Sequence, residues 1–251
     1  MKPLRAIVFS GFFLLLLPVA VLATPIAEIE DNGSLSASQV IHAADFSTVS
    51  DGNIFQSTTI PHATVSGSLS GSDVDYYRFG VGAANSIGFF DIDQTSNGID
   101  TLLTLLNAAG EVLAIGDDNC DSFVTSCTSA DNDPGSTSFL DSFIGAYTFG
   151  TAGTYYLAVS SAYDYPAFSG YFGGALTRPD AGYGGDYYLP DVFSGGPASL
   201  TPVDLGAGDY LLHFSLANAV DPLSVPEPGA FALFGLLLPV LLMARLRRRR
   251  D

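Results

Sequence analysis

The chain has 251 residues and a formal net charge of −17, from 26 acidic residues against nine Lys and Arg. Lys2, Arg5 and five arginines of the last seven residues take most of that basic charge, so residues 24–224 keep only Arg78 and Arg178 against 24 acids, or 2 − 24 = −22. A surface of that sign repels phosphate polymers and anionic lipid, which excludes nucleic acid as a partner and makes multivalent cations the natural counter-ions.

In chain order, Met1-Lys2-Pro3-Leu4-Arg5 is a short basic segment, and Ala6 to Leu22 is an apolar run ending in small residues at Val21-Leu22-Ala23. This pattern predicts a secretory signal peptide over 1–23, with an apolar signal helix and Thr24 as the new N-terminus. Residues 24–65 are polar and Ser/Thr-rich, hold His42 and His62, and read as a lead-in with one edge strand. From 66 to 218, strand formers recur in short runs, punctuated by Gly, Asp, Asn and Pro every eight to twelve residues. No segment there sustains the apolar spacing of a helix, so an all-β domain is expected: an antiparallel β-sandwich or jelly-roll-like fold.

The clearest strands are Asp75 to Val81, Ile87 to Ile92, Thr101 to Leu106, Glu111 to Ile115, Phe143 to Phe149, Thr154 to Ser160 and Asp209 to Leu216. Alternation in the first puts Tyr77, Phe79 and Val81 on one face and Tyr76 and Arg78 on the other. Asn107-Ala108-Ala109-Gly110 reads as a hairpin turn ending in glycine. Residues 163–200, rich in Gly, Tyr and Pro, read as a long loop with at most one short strand, and 219–225 as a linker.

The chain closes with Val225-Pro226-Glu227-Pro228-Gly229, an apolar run to Ala244, and five arginines within 245–250. Sixteen helical residues reach about 24 Å, against a hydrocarbon core of about 30 Å. Such a membrane helix holds a bilayer by thinning it or by arginine snorkelling, and the arginines place the C-terminus in the cytoplasm.

These residues resemble the PEP-CTERM sorting signal, which joins a Pro-Glu-Pro motif, an apolar span and a basic tail in that order. The resemblance implies recognition of Pro226, Glu227 and Pro228 by a membrane protease, an exosortase, after signal peptidase has acted. It further implies transient inner-membrane anchoring followed by release to the cell surface or medium. A second resemblance rests on Ser72-Asp73-Val74-Asp75-Tyr76-Tyr77-Arg78-Phe79, Asp100-Thr101-Leu102-Leu103, Gly116-Asp117-Asp118-Asn119 and Gly153-Thr154-Tyr155-Tyr156-Leu157. In that order they look like the bacterial pre-peptidase C-terminal domain, a compact β-sandwich found beside secreted proteases and in surface proteins. Residues 163–200 depart from its usual compact pattern.

The most pointed constellation is acidic. If Asp100 opens one hairpin strand and Asp117-Asp118 close its partner, all three reach the same edge, with Asp91 and Asp93 within range from a neighbouring strand. Hard cations such as Ca²⁺ take six to eight oxygens of this kind, and the second resemblance implies Ca²⁺ at such aspartates. Turn-capping carboxylates that hold only water are the alternative. Cys120 and Cys127, the only cysteines, close an eight-residue loop. In an exported chain they read as a disulfide, with about 2–3 kcal/mol of loop-closure stabilisation.

Catalysis finds no footing, since the chain has no Gly-x-Ser-x-Gly elbow and no His-Glu-x-x-His, and the chain reads as non-enzymatic. His213 reads as a structural residue within its strand. The expected role is that of an exported surface or matrix protein associated with exopolysaccharide or biofilm. Two alternatives stand beside it. One is a carbohydrate-binding module in which Tyr183, Tyr187 and Tyr188 stack on sugar faces; the other is an accessory domain of a secreted protease system.

Overall fold

The computed structural model describes residues 23–71, 73–118, 134–138, 140–162, 175–177, 187–189 and 207–223. The signal segment, the sorting signal with Pro226, Glu227 and Pro228, both cysteines and Tyr183 lie outside these residues, as do the side chains of Tyr187 and Tyr188. Among the described residues no helix is long and apolar enough to cross a membrane.

Among the described residues, thirteen strands and one short 3₁₀ turn (Ala43–Asp45) make up the regular structure. The strands are β1 (Ile26–Ala27), β2 (Gln39–Val40), β3 (His62–Ser70), β4 (Asp75–Val81), β5 (Ser86–Asp93), β6 (Thr101–Asn107), β7 (Val112–Gly116), β8 (Phe143–Phe149), β9 (Gly153–Ser161), β10 (Ala175–Thr177), β11 (Tyr187–Leu189), β12 (Ala207–Leu216) and β13 (Ala219–Val220). One sheet has the order β1-β3-β12-β5-β8; the other runs β10-β11-β7-β6-β9-β4-β13, with β2 also on β4. The expectation of purely antiparallel pairing needs one correction. The two-residue strands β1 and β2 pair in parallel with β3 and β4, because the lead-in returns along the sheet edges instead of reversing through a hairpin.

The two sheets face each other across one apolar layer. Tyr77, Phe79 and Val81 of β4, Leu103 and Leu105 of β6, and Leu157 and Val159 of β9 meet Val65 of β3, Phe90 and Ile92 of β5, and Leu212, Phe214 and Leu216 of β12. Period-two alternation supplies that layer, and each fully buried Leu, Ile or Phe contributes about 1.5–3 kcal/mol. Phe79 sits at its centre, 5.4 Å from the Phe90 ring and 5.7 Å from that of Phe214. The other face of the larger sheet carries a second cluster, in which Tyr76, Leu102, Leu106, Ile115 and Tyr156 are buried with Leu35 against them.

Two further differences from the expected layout have local causes. The boundary drawn between residues 65 and 66 falls inside β3, a nine-residue strand interior to its sheet. Its Ser and Thr residues mask the alternation of Ala63, Val65 and Leu69, which point into the core. Gly67 completes that row because a Cβ there would lie 2.5 Å from Tyr210 Cζ. Within 163–200 two short strands form, not one: β10 pairs with β11, and β11 extends the sheet at Tyr188 opposite Ile115. An open strand edge is a ready template for such residues. The 107–110 turn forms as expected. Gly110 has φ 80°, and the Asn107 side chain accepts from the Ala109 and Glu111 amides.

Candidate metal centre

The β6–β7 hairpin brings three carboxylates together. Leu103 lies opposite Gly116 in the ladder, so Asp100, just before β6, and Asp117-Asp118, just after β7, share one edge. One carboxylate oxygen from each of the three lies within 4.8 Å of the others. Gly116 sets the path into this pair, since a Cβ there would run into the Phe143 carbonyl. The Asp100 backbone carbonyl is fixed by the Ala162 amide at 3.0 Å, which leaves its side chain turned to the cluster.

The electrostatics are those of three carboxylates held close together. Burial first, then the charge of Asp117, pushes the Asp100 carboxyl up to about 6. Burial, then Asp117 and Asp100, pushes Asp118 up to about 7. Asp100 Oδ1 is buried and accepts no hydrogen bond from the described residues. A hard divalent cation fits this donor set: it supplies the missing partner and offsets the mutual repulsion. Among the described residues no His or thiolate joins the group, and an all-oxygen donor set is the kind that hard cations take. The completing ligands of a Ca²⁺ ion would be loop carbonyls and water.

The structure does not bring Asp91 and Asp93 to this edge. They lie on β5 in the other sheet, where Asp91 is opposite His213 in the ladder. His213 Nε2 lies 3.1 Å from Asp93 Oδ2, and its Nδ1 is 2.8 Å from Thr64 Oγ1. His213 is only 3% exposed and Asp93 fully buried, so this hydroxyl–imidazole–carboxylate string is walled off from any substrate and serves as a core clamp. Burial raises Asp93 above the usual carboxylate range, against the pull of His213.

A second polar site went unread in the sequence. Glu28, tied to the sheet by its amide on the Ser66 carbonyl, accepts from Ser68 N at 2.8 Å, Tyr77 Oη at 2.7 Å and Asn32 Nδ2 at 3.1 Å. Tyr77 Oη and Tyr210 Oη are 2.7 Å apart, and Tyr210 Oη is 2.7 Å from Asp75 Oδ2. Three short contacts in series need three hydrogens, and the two tyrosines supply two. A carboxyl must therefore hold the third. Asp75 is fully buried whereas Glu28 is half-buried, so the proton belongs to Asp75. Burial first, then the nearby Glu28 charge, pushes the Asp75 carboxyl up to about 9. The inward position of both tyrosines was legible; their meeting with two acids distant in sequence was not.

No family model and no curated protein matches the chain. Among solved structures, the crystal structure of Salmonella Typhimurium PliG, a periplasmic lysozyme inhibitor of g-type lysozyme, is similar over 62% of this chain and 91% of that one. The identity is 13% and the TM-score 0.27, a likeness too slight to bear on this chain's fold or function.

Proposed function

We propose that the chain is an exported, non-enzymatic surface or matrix protein that binds Ca²⁺ at Asp100, Asp117 and Asp118 and associates with acidic exopolysaccharide. The signal helix and the C-terminal membrane helix flank the sandwich, and an exosortase acts at Pro226, Glu227 and Pro228. The observation that supports the reading is the convergence of three carboxylates from the two ends of one hairpin, in a domain with no lysine between residues 24 and 224. Carboxylates of a polymer would take the place of the water ligands of a cation held there.

Two measurements test this. Intact mass of the protein from medium and from membranes is expected to show a secreted form starting near Thr24 and ending near Pro226–Pro228. That form should be two hydrogens light from the Cys120–Cys127 disulfide. A form that keeps its arginine tail and stays in the membrane would refute release, and free thiols would refute the bridge. Calorimetric titration of the chelator-treated protein with Ca²⁺ addresses the centre, and an absence of both heat and thermal stabilisation removes Ca²⁺ from the proposal.

A further inference from the structure

We infer that the anchored protein stands end-on to the bilayer. The sandwich end built from residues 82–85, 108–110, 150–152 and 217–218 faces the lipid, and the Asp100–Asp117–Asp118 edge points away from it. The inference rests on the reading of residues 229–250 as a membrane anchor.

Strand register defines the two ends. Gly153, at the start of β9, pairs with Val81, while Ser161, at its end, pairs with Thr101, next to Asp100. The nine residues of β9 thus join the two ends over about 30 Å. β13 enters its sheet at the Val81 end, with Ala219 opposite Val81, and runs one step inward to Val220 opposite Gly80. Gly80 permits this seat, because a Cβ there would run into the Val220 carbonyl. Beyond β13 the chain is stapled twice more. Asp221 Oδ1 accepts from the Ala43 amide at 2.9 Å and lies 3.4 Å from His42 Nδ1; the Leu223 amide then donates to Thr154 Oγ1 at 3.0 Å.

Leu223 is therefore a fixed point, and only residues 224–228 separate it from the apolar run. Five residues reach at most about 18 Å. That reach is shorter than the length of β9, so the sandwich cannot stand on its far edge while the staple holds.

The chemistry of the two ends agrees with this placement. Four connections at the exit end, Gly82-Ala83-Ala84-Asn85, Ala108-Ala109-Gly110, Gly150-Thr151-Ala152 and Ala217-Asn218, carry no charge, while the 41–61 connection from β2 to β3 carries Asp45 and Asp51. Asp45, Glu111 and Asp221 are the acids beside them, and Asp221 is shared with His42. The far end gathers Glu30, Asp31, Asp73, Asp100, Asp117, Asp118 and Asp209. An anionic leaflet repels that group, and a screening length of about 8–10 Å makes the repulsion negligible once it stands a strand's length away. Exposed apolar side chains show the opposite bias. Of the four large ones among the described residues, Ile87, Val220 and Leu223 are at the exit end and Ile29 is elsewhere.

The chain contains no tryptophan, so single-tryptophan variants report position directly. Full-length Ala84→Trp and Asp209→Trp, both at exposed sites, are reconstituted into phosphatidylcholine vesicles carrying a nitroxide on the headgroup. The expected result is loss of most of the Ala84→Trp emission, with that of Asp209→Trp retained. Ala152→Trp and Asn97→Trp form a second pair should either first variant misfold. Flotation of the vesicles separates the two levels of inference. Protein that floats but shows equal quenching at both ends, or more at Asp209, overturns the orientation alone. Protein left in the aqueous fraction overturns the anchor and the orientation with it.

Discussion

Replacing Asp75 by Asn removes a proton-uptake step from folding, and the size of the effect follows from the site. In the unfolded chain the Asp75 carboxyl titrates near 3.8, and in the fold it is pushed up to about 9 by burial and the Glu28 charge. Between those values the native state holds a proton that the unfolded state has released. Its contribution to stability is thus complete below about pH 4 and is lost as pH rises toward 9, at about 1.4 kcal/mol per unit. From pH 5 to pH 7 the wild type loses about 2 × 1.36, or 2.7 kcal/mol, through this group. An Asn side chain pays no such penalty and keeps the geometry. Its Nδ2–H donates to Tyr210 Oη, as the protonated carboxyl does, so the series through Tyr77 to Glu28 is preserved. Urea denaturation of both proteins at pH 5 and pH 7 gives the difference directly, and every other titrating group cancels. Asp75→Asn is expected to gain on the wild type by about 2–3 kcal/mol over that interval. A difference that does not change with pH, or that shrinks, would mean that Asp75 is ionised in the fold and that the proton count is wrong.

The acid trio gives the next expectation. Because Asp100 and Asp118 are pushed up from 3.8 to about 6 and about 7, the cation-free protein loses stability as pH rises from about 4 to about 7. Ca²⁺ affinity moves the other way, falling about tenfold per pH unit for each proton it must displace below pH 6. Titration at pH 5.5 and pH 8 checks this, and Asp100→Asn with Asp118→Asn is expected to abolish Ca²⁺ stabilisation while raising the cation-free melting temperature. At the core clamp, His213→Ala leaves the fully buried Asp93 without its imidazole and is expected to cost about 3–5 kcal/mol in denaturation. Thr64→Val removes one hydroxyl contact to that imidazole and is expected to cost only about 1 kcal/mol.

Local patterns carried most of the strand assignment. Alternating Tyr77, Phe79 and Val81 face the core as their spacing requires, and Asp75–Val81 and Phe143–Phe149 form over their full predicted lengths. β3 escaped because its outward residues are Ser and Thr and one inward position is Gly67, a choice that makes sense only once Tyr210 occupies the space. The hairpin that joins Asp100 to Asp117 and Asp118 was legible, since a short turn fixes which ends of its strands coincide. The fates of Asp93 and of Asp75 were not. Each depends on a partner from a strand more than a hundred residues away, His213 in one case and Tyr210 in the other.

By itself the sequence determined an acidic β-protein, the faces of its main strands and the trio at one hairpin edge, because period-two alternation and turn chemistry act over a few residues. Only the tertiary structure decided which buried acids share a proton or an imidazole, and that Leu223 is held near the end opposite the trio. Those outcomes come from sheet order and register, which pair residues far apart in sequence and which no local pattern encodes.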